Sequence, residues 1–118
     1  MIKENNVPWL QRVADEIITF GIEGPLCLCH GALGHMDFLG TMPERGVLQS
    51  LKAANKWRRL LLDRLLSGDW VADEAHSLES PGLMLGLAGS GYALLRACYP
   101  QRIPSVLTLE PPPETKAE

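Results

Sequence analysis

The chain has 118 residues, the length of one small domain, and its 46% apolar and 21% charged residues are ordinary for a soluble globular protein. A net charge of −3 offers no basic footprint, which excludes nucleic acid as an expected partner. Three cysteines, two of them one residue apart, argue against a secreted disulfide framework and for a reducing compartment, so a cytoplasmic location is expected. The opening Met1-Ile2-Lys3-Glu4-Asn5-Asn6 has no apolar h-region, and no signal peptide is expected. No membrane span is expected either: the richest apolar stretch, residues 81–99, is interrupted by glycines, Ser90 and Arg96.

Pro8-Trp9-Leu10 opens the first predicted helix. Leu10, Val13, Ile17 and Phe20 fall at helical spacing, with Gln11, Arg12, Asp15 and Glu16 on the solvated side. Gly21 and Gly24-Pro25 stop it. A second, short helix is predicted at or just after His30. Residues 41–46 read as a turn. The longest predicted helix covers residues 47–67, with Leu48, Leu51, Ala54, Leu61, Leu62 and Leu65 as its apolar stripe, and Gly68 ends it. The cluster Lys56-Trp57-Arg58-Arg59 reads as a solvated face. Residues 69–80 form an acidic loop with Trp70 and His76. Ser80-Pro81 is a helix-start signal, Ser as N-cap and Pro at the first helical position, and the fourth helix is predicted to run to Cys98, itself read as core. Tyr99-Pro100 ends it. Pro104 and Pro111-Pro112-Pro113 leave an extended tail in which Val106-Leu107-Thr108-Leu109 can still pack, and residues 114–118 are expected to be disordered.

The chemistry concentrates in Leu26-Cys27-Leu28-Cys29-His30-Gly31-Ala32-Leu33-Gly34. Thiolate and neutral imidazole are preferred zinc donors, and a catalytic zinc takes three protein ligands with one open position. Cys29 and His30 supply two donors, and the third is expected from elsewhere. A thiol at this point lies near a helix N-terminus, whose dipole favours thiolate; that suits a metal ligand and equally a nucleophile. Against this stands the plain reading of a free cysteine as a small buried hydrophobe. An adjacent Cys-His pair is also a weaker signal than the spaced pairs of most zinc sites.

The sequence contains a repeat. Gly31-Ala32-Leu33-Gly34 matches Gly86-Leu87-Ala88-Gly89 at an offset of 55 residues, and Leu39 matches Leu94. Each copy is a short glycine-rich helix preceded by a more amphipathic one, so the unit reads as an outer-plus-inner helical hairpin, about 8–41 and 47–99. Such a hairpin cannot bury its apolar face alone and stacks on neighbours. Two copies suggest an arc of a larger helical toroid.

Leu28-Cys29-His30-Gly31-x-x-Gly34, then Ser80-Pro81-Gly82-Leu83-Met84-x-Gly86-Leu87-Ala88-Gly89-x-Gly91-Tyr92-x-Leu94-Leu95-Arg96, then Ile103-Pro104-Ser105-Val106-Leu107-x-Leu109-Glu110-Pro111-Pro112, resembles the C-terminal end of class II lanthipeptide synthetases of the LanM type, from about Leu26 to Pro112. The C-terminal half of those enzymes is a LanC-like cyclase. The resemblance implies an all-α fold, an α/α toroid of helical hairpins, of which this chain is an incomplete part over residues 1–113. It also implies a central Zn2+ held by an upstream cysteine and by the Cys and His of a Cys-His-Gly motif, which carry over onto Cys29 and His30. The implied reaction is addition of a peptide cysteine thiol to dehydroalanine or dehydrobutyrine, giving a thioether ring. The implied partners are the precursor peptide and the remainder of the barrel, in cis or in trans. Cys27 has no matched role and reads as core. The family's upstream cysteine ligand and acid/base residues have no counterpart in this sequence, so no catalytic residue is assigned, and Asp37, His35 and His76 are left without one; His35 is read as structural or as supporting the site. The chain alone is expected to bind zinc weakly and not to cyclise. Two other readings stay open: a non-catalytic helical module that docks on a partner chain, and a small metal-binding helical protein in which two copies of Cys29-His30, with or without Cys27, share an ion.

Overall fold

The computed structural model describes residues 7–67 and 81–114. The readings made for Gly68, Trp70, His76, Ser80 and residues 115–118 lie outside the described residues. Four α-helices are present among them: α1 (Val7–Phe20), α2 (Ala32–Thr41), α3 (Gln49–Leu66) and α4 (Leu87–Cys98), with a 3-10 turn, Pro43–Arg45, between α2 and α3. No described residue is in a strand. The protein is all-α, as the periodicity and the repeat imply.

The inner helix α2 is the hub. It packs against α3 and against α4, and these contacts are more extensive than those between α1 and α2 or between α3 and α4. Contact between successive hairpins, rather than within one, is what stacked hairpin units require. Leu33 and Leu39 are fully buried, with Met36 beside them. Leu10 and Ala14 of α1, and Ala54, Trp57 and Leu61 of α3, close over that face. At ~25 cal/mol per Å2 of apolar surface, each large side chain so buried contributes roughly 1.5–3 kcal/mol.

Several sequence expectations are corrected here. Helix α3 faces the core through Ser50, Ala54, Trp57 and Leu61, whereas Leu48 (74% exposed), Leu51 and Leu62 point outward. A leucine-rich helix carries two apolar stripes, and the stripe containing Trp57 is the one α2 covers. Arg58 is not simply solvated: its Nη1 donates to the Ala97 carbonyl at 3.1 Å, near the C-terminal end of α4, where a cation meets unsatisfied carbonyls. Phe20 is 70% exposed, although its ring meets the edge of His35 at a centroid distance of 5.7 Å. Cys98, expected in the core, is exposed at the end of α4. The fourth helix begins at Leu87, well after the Ser80-Pro81 signal, because residues 81–86 form a turn that packs its own carbonyl against Gly89.

The tail is held by polar groups more than by its apolar run. Leu109 is 87% exposed, whereas Ser105 is fully buried. Tyr92 Oη donates to the Pro104 carbonyl at 2.8 Å and accepts from the Val106 N–H at 2.9 Å. Leu107 also reaches the inner face of α2, near Gly34.

A candidate metal centre at the turn before α2

The turn 25–31 precedes α2, and glycines fix its path. Gly31 caps the helix in an extended conformation (φ −118°, ψ −172°), with no side-chain cap. The Ala32 N–H returns to the Pro25 carbonyl at 3.0 Å, and the Gly34 N–H points at the Cys27 carbonyl at 3.4 Å. A methyl on Gly31 would lie 2.2 Å from the Pro25 oxygen, and one on Gly34 would lie 2.1 Å from the Leu28 oxygen. Only glycine permits backbone packing this close.

The second copy repeats the geometry. Gly86 caps α4 in the same extended region (φ −135°, ψ −158°). A methyl on Gly89 would lie 1.9 Å from the Leu83 oxygen. Leu83 stands in the same relation to Gly89 as Leu28 to Gly34. In this register Met84 and Leu85 occupy the places of Cys29 and His30. The two copies therefore share the frame and not the donors. The two turns are joined: the N–H groups of Leu28 and Cys29 both donate to the Met84 carbonyl, at 3.1 and 3.2 Å. Leu28 is buried between them.

This frame presents Cys29 and His30 at the surface. Cys29 Sγ lies 2.8 Å from His30 Nδ1, a thiol–imidazole hydrogen bond. Cys27, assigned to the core on sequence grounds, is indeed buried, yet its sulfur belongs to the same cluster. The donor atoms of Cys27, Cys29 and His30 all lie within 4.8 Å of one another, and among the described residues they form the only such group of metal-ligating side chains. Burial pushes the Cys27 thiol above its usual pKa, and the neighbouring Cys29 sulfur adds to this; the His30 backbone N–H, and more weakly that of Cys29, pulls the other way. On a tetrahedral zinc, with bonds of about 2.3 Å to sulfur and about 2.0–2.1 Å to nitrogen, ligand atoms stand roughly 3.5–3.8 Å apart. The observed separations, 2.8 Å for Cys29 Sγ to His30 Nδ1 and within 4.8 Å for the whole group, are of that order, and thiol and imidazole are donors zinc prefers, so the donor set fits zinc.

The remaining polar side chains sit elsewhere. Asp37 is buried on α2, where its carboxylate accepts from Arg96 Nε of α4 and from Ser105 Oγ of the tail. Glu110 completes the cluster, accepting from the Ser105 N–H at 2.8 Å and lying 3.3 Å from Arg96 Nη1. Sequence reasoning did not find this network. Its signal was a lone acid on an apolar helix and a lone arginine on another, 59 residues apart. His35 packs between the rings of Phe20 and Trp57 with its Nδ1 buried and unpaired, and burial lowers its pKa. It is a packing residue of the α1–α2–α3 contact.

Glycine-framed turns leading into inner helices, one of them carrying a surface thiol–imidazole pair, define a protein built of stacked helical hairpins with a metal-competent loop. Residues 7–108 match the family model of the lanthionine synthetase C-like proteins, and the chain belongs to that family. No curated protein and no solved structure matches it.

Proposed function

We propose that the chain is the metal-gripping part of a zinc-dependent lanthionine cyclase of the LanM type, with Cys29 and His30 as zinc ligands. The observation that carries this reading is the pair itself: an exposed thiol and imidazole 2.8 Å apart, on a turn clamped by backbone bonds to Met84. Preorganised donors of this kind keep a site within the tolerance that catalysis demands.

In the reaction, the sulfur of a precursor-peptide cysteine forms a bond to the β-carbon of dehydroalanine or dehydrobutyrine. The alkene π bond breaks, and a proton is delivered to the α-carbon. Bound zinc supplies a thiolate nucleophile at neutral pH and orients it. Cys29 and His30 hold their donor atoms at the surface, where an extended peptide has access. Gly31 and Gly34 keep the loop tight against α2, and Asp37, buried and fully engaged, serves the fold. The exposed leucines of α3 support a role for the remainder of a cyclase barrel, in cis or in trans, as the surface that covers them. Free thiols at Cys27, Cys29 and Cys98 suit a reducing compartment such as the cytoplasm.

The addition leaves peptide mass unchanged, so the test counts alkylatable thiols in a dehydrated precursor peptide. The peptide is treated with zinc, the chain and the remainder of a LanC-like barrel. Loss of thiols is expected with the native chain and not with Cys29→Ala or His30→Ala. Equal ring formation by Cys29→Ala overturns the assignment.

A further inference from the structure

We infer that Cys27 and Cys29 form a redox-active dithiol, a modification site at which a small disulfide oxidises the pair to an intramolecular Cys27–Cys29 disulfide and so withdraws Cys29 from its pairing with His30. The closure itself stands on the arrangement of the two sulfurs. Its consequence for an ion rests on the zinc reading above.

The sulfurs of Cys27 and Cys29 lie within 4.8 Å of one another. Two cysteines are beyond bridging when their Cα atoms stand more than ~7 Å apart or their side chains diverge. Two residues of chain span at most ~7 Å even when fully extended, and residues 28–30 form a turn, which excludes the first obstacle. The shared sulfur cluster excludes the second. The turn is also fixed in place. The Leu28 and Cys29 N–H groups donate to the Met84 carbonyl, the Ala32 N–H donates to the Pro25 carbonyl, and Leu28, between the two cysteines, is buried. The thiols are thus held as neighbours, and a sulfur placed in this way outcompetes a free thiol for an adjacent sulfur. The frame needs neither of them. The second turn, with the same extended glycine cap and the same close glycine approach, has Gly82 and Met84 in their places. Backbone packing therefore accounts for the turn and not for a second thiol within it.

Burial divides the roles. Cys29 is exposed and Cys27 is buried, so an incoming small disulfide meets the Cys29 sulfur. That sulfur attacks, the S–S bond of the small disulfide breaks, one small thiol leaves, and a mixed disulfide forms at Cys29. The Cys27 sulfur then attacks the Cys29 sulfur and expels the second small thiol. The two protons of the cysteine thiols end on the two departing thiols. Two protein thiols are oxidised and one small disulfide is reduced. The product closes a ring around Leu28 alone with one sulfur at the surface, the strained and accessible kind of disulfide that small thiols reopen. A sulfur bonded to Cys27 is no longer a thiolate, and a metal ligand must be one.

The test treats the purified full chain, reduced and metal-free, with oxidised glutathione and reads the proteolytic peptide carrying Cys27 and Cys29 by mass spectrometry, which keeps Cys98 out of the count. The native peptide is expected to lose two hydrogens, to resist alkylation at both cysteines, and to recover both thiols on treatment with a small dithiol. Cys27→Ser is expected to stop at the glutathione adduct on Cys29, and Cys29→Ser to stay reduced at Cys27. A native chain that keeps the adduct on Cys29, or leaves both thiols alkylatable, overturns the dithiol, needs no variant to fold, and leaves the Cys29–His30 reading standing. Zinc uptake by the closed and the reduced chain is then compared by equilibrium dialysis, with a loss of uptake expected on closure. Equal uptake by the two forms overturns the zinc role of Cys29 and leaves the dithiol standing.

Discussion

Replacing glycine by alanine has opposite consequences at two positions of this fold, and the sign is set by geometry. Gly91 lies inside α4 with open space where a Cβ would project. Gly91→Ala therefore removes only the entropic penalty of glycine in a helix and stabilises by about 0.8–1.0 kcal/mol. Gly34 lies inside α2, where the added methyl would meet the Leu28 carbonyl oxygen at 2.1 Å, against the 3.4 Å at which ordinary contact begins. The obstacle is backbone, so the turn must move by more than an ångström. That displaces Leu28 from the core and draws the Leu28 and Cys29 N–H groups off the Met84 carbonyl. Two hydrogen bonds at ~1 kcal/mol each and overpacking of ~1–3 kcal/mol come to about 3–5 kcal/mol. That is a large share of the ~5–15 kcal/mol that holds a domain folded. For a chain of this length ~1 kcal/mol shifts the melting temperature by roughly 4 °C. Thermal unfolding followed by circular dichroism should show Gly91→Ala about 3–4 °C above native and Gly34→Ala at least ~10 °C below it. A Gly34→Ala protein melting within about 2 °C of native would refute the close-approach argument.

Two further outcomes follow from the buried polar groups. Asp37→Ala takes the carboxylate from Arg96 Nε and leaves only the half-buried Glu110 on Nη1, so it should cost about 3 kcal/mol, whereas the double change Asp37→Leu with Arg96→Met should cost less than Asp37→Ala alone; urea unfolding of the three proteins decides this, and a single-variant loss below ~1 kcal/mol counts against a structural role for the pair. His35 titrates below its usual value because burial penalises the charged ring. Between the folded and unfolded pKa values the unfolded chain binds more protons, so this contribution to stability is complete above about pH 6.5 and is lost as pH falls below it. The urea midpoint of chelator-treated protein should drop between pH 7.5 and 5.5, and His35→Phe should flatten that drop; an unchanged slope in the variant would place the titration elsewhere.

The helices were legible because they obey local rules. Leu10 and Ile17 mark α1, and Gly21, with φ +85°, stops the helix in a backbone conformation that favours glycine. The repeat was the better guide to α4. Matching Gly31 to Gly86 places the inner helix after Gly86, as observed, while the local Ser80-Pro81 signal reads a start that tertiary packing overrides. Periodicity counts apolar residues but does not say which stripe a neighbour covers. It therefore favoured Leu48, Leu51 and Leu62 over a stripe that includes Ser50 and Trp57. The Asp37–Arg96–Ser105–Glu110 cluster was illegible for a similar reason: its members come from α2, α4 and the tail, and only the folded chain brings them together. Cys29 and His30 stood out as adjacent residues whose chemistry suits a metal, and the fold keeps their side chains together. Cys27 was read as core, and it is buried.

The two copies of the glycine-framed turn divide the work between them. The second has Gly82, Met84 and Leu85 where the first has Cys27, Cys29 and His30, and so offers no thiol or imidazole from those places. Its contribution is a carbonyl: the Met84 oxygen takes both N–H groups of the first turn. A carbonyl oxygen has two lone pairs, so one residue satisfies both donors. The carbonyl stays in place because the Leu83–Gly89 approach leaves the second turn little freedom. The Cys29-His30 loop is thus pinned on one side by its own helix, through Gly31 and Gly34, and on the other by the next hairpin. Buried backbone N–H groups need partners whether or not an ion is bound. This clamp therefore holds the loop's shape through backbone contacts alone, and under the proposed zinc reading the donors need not fold the loop around an ion.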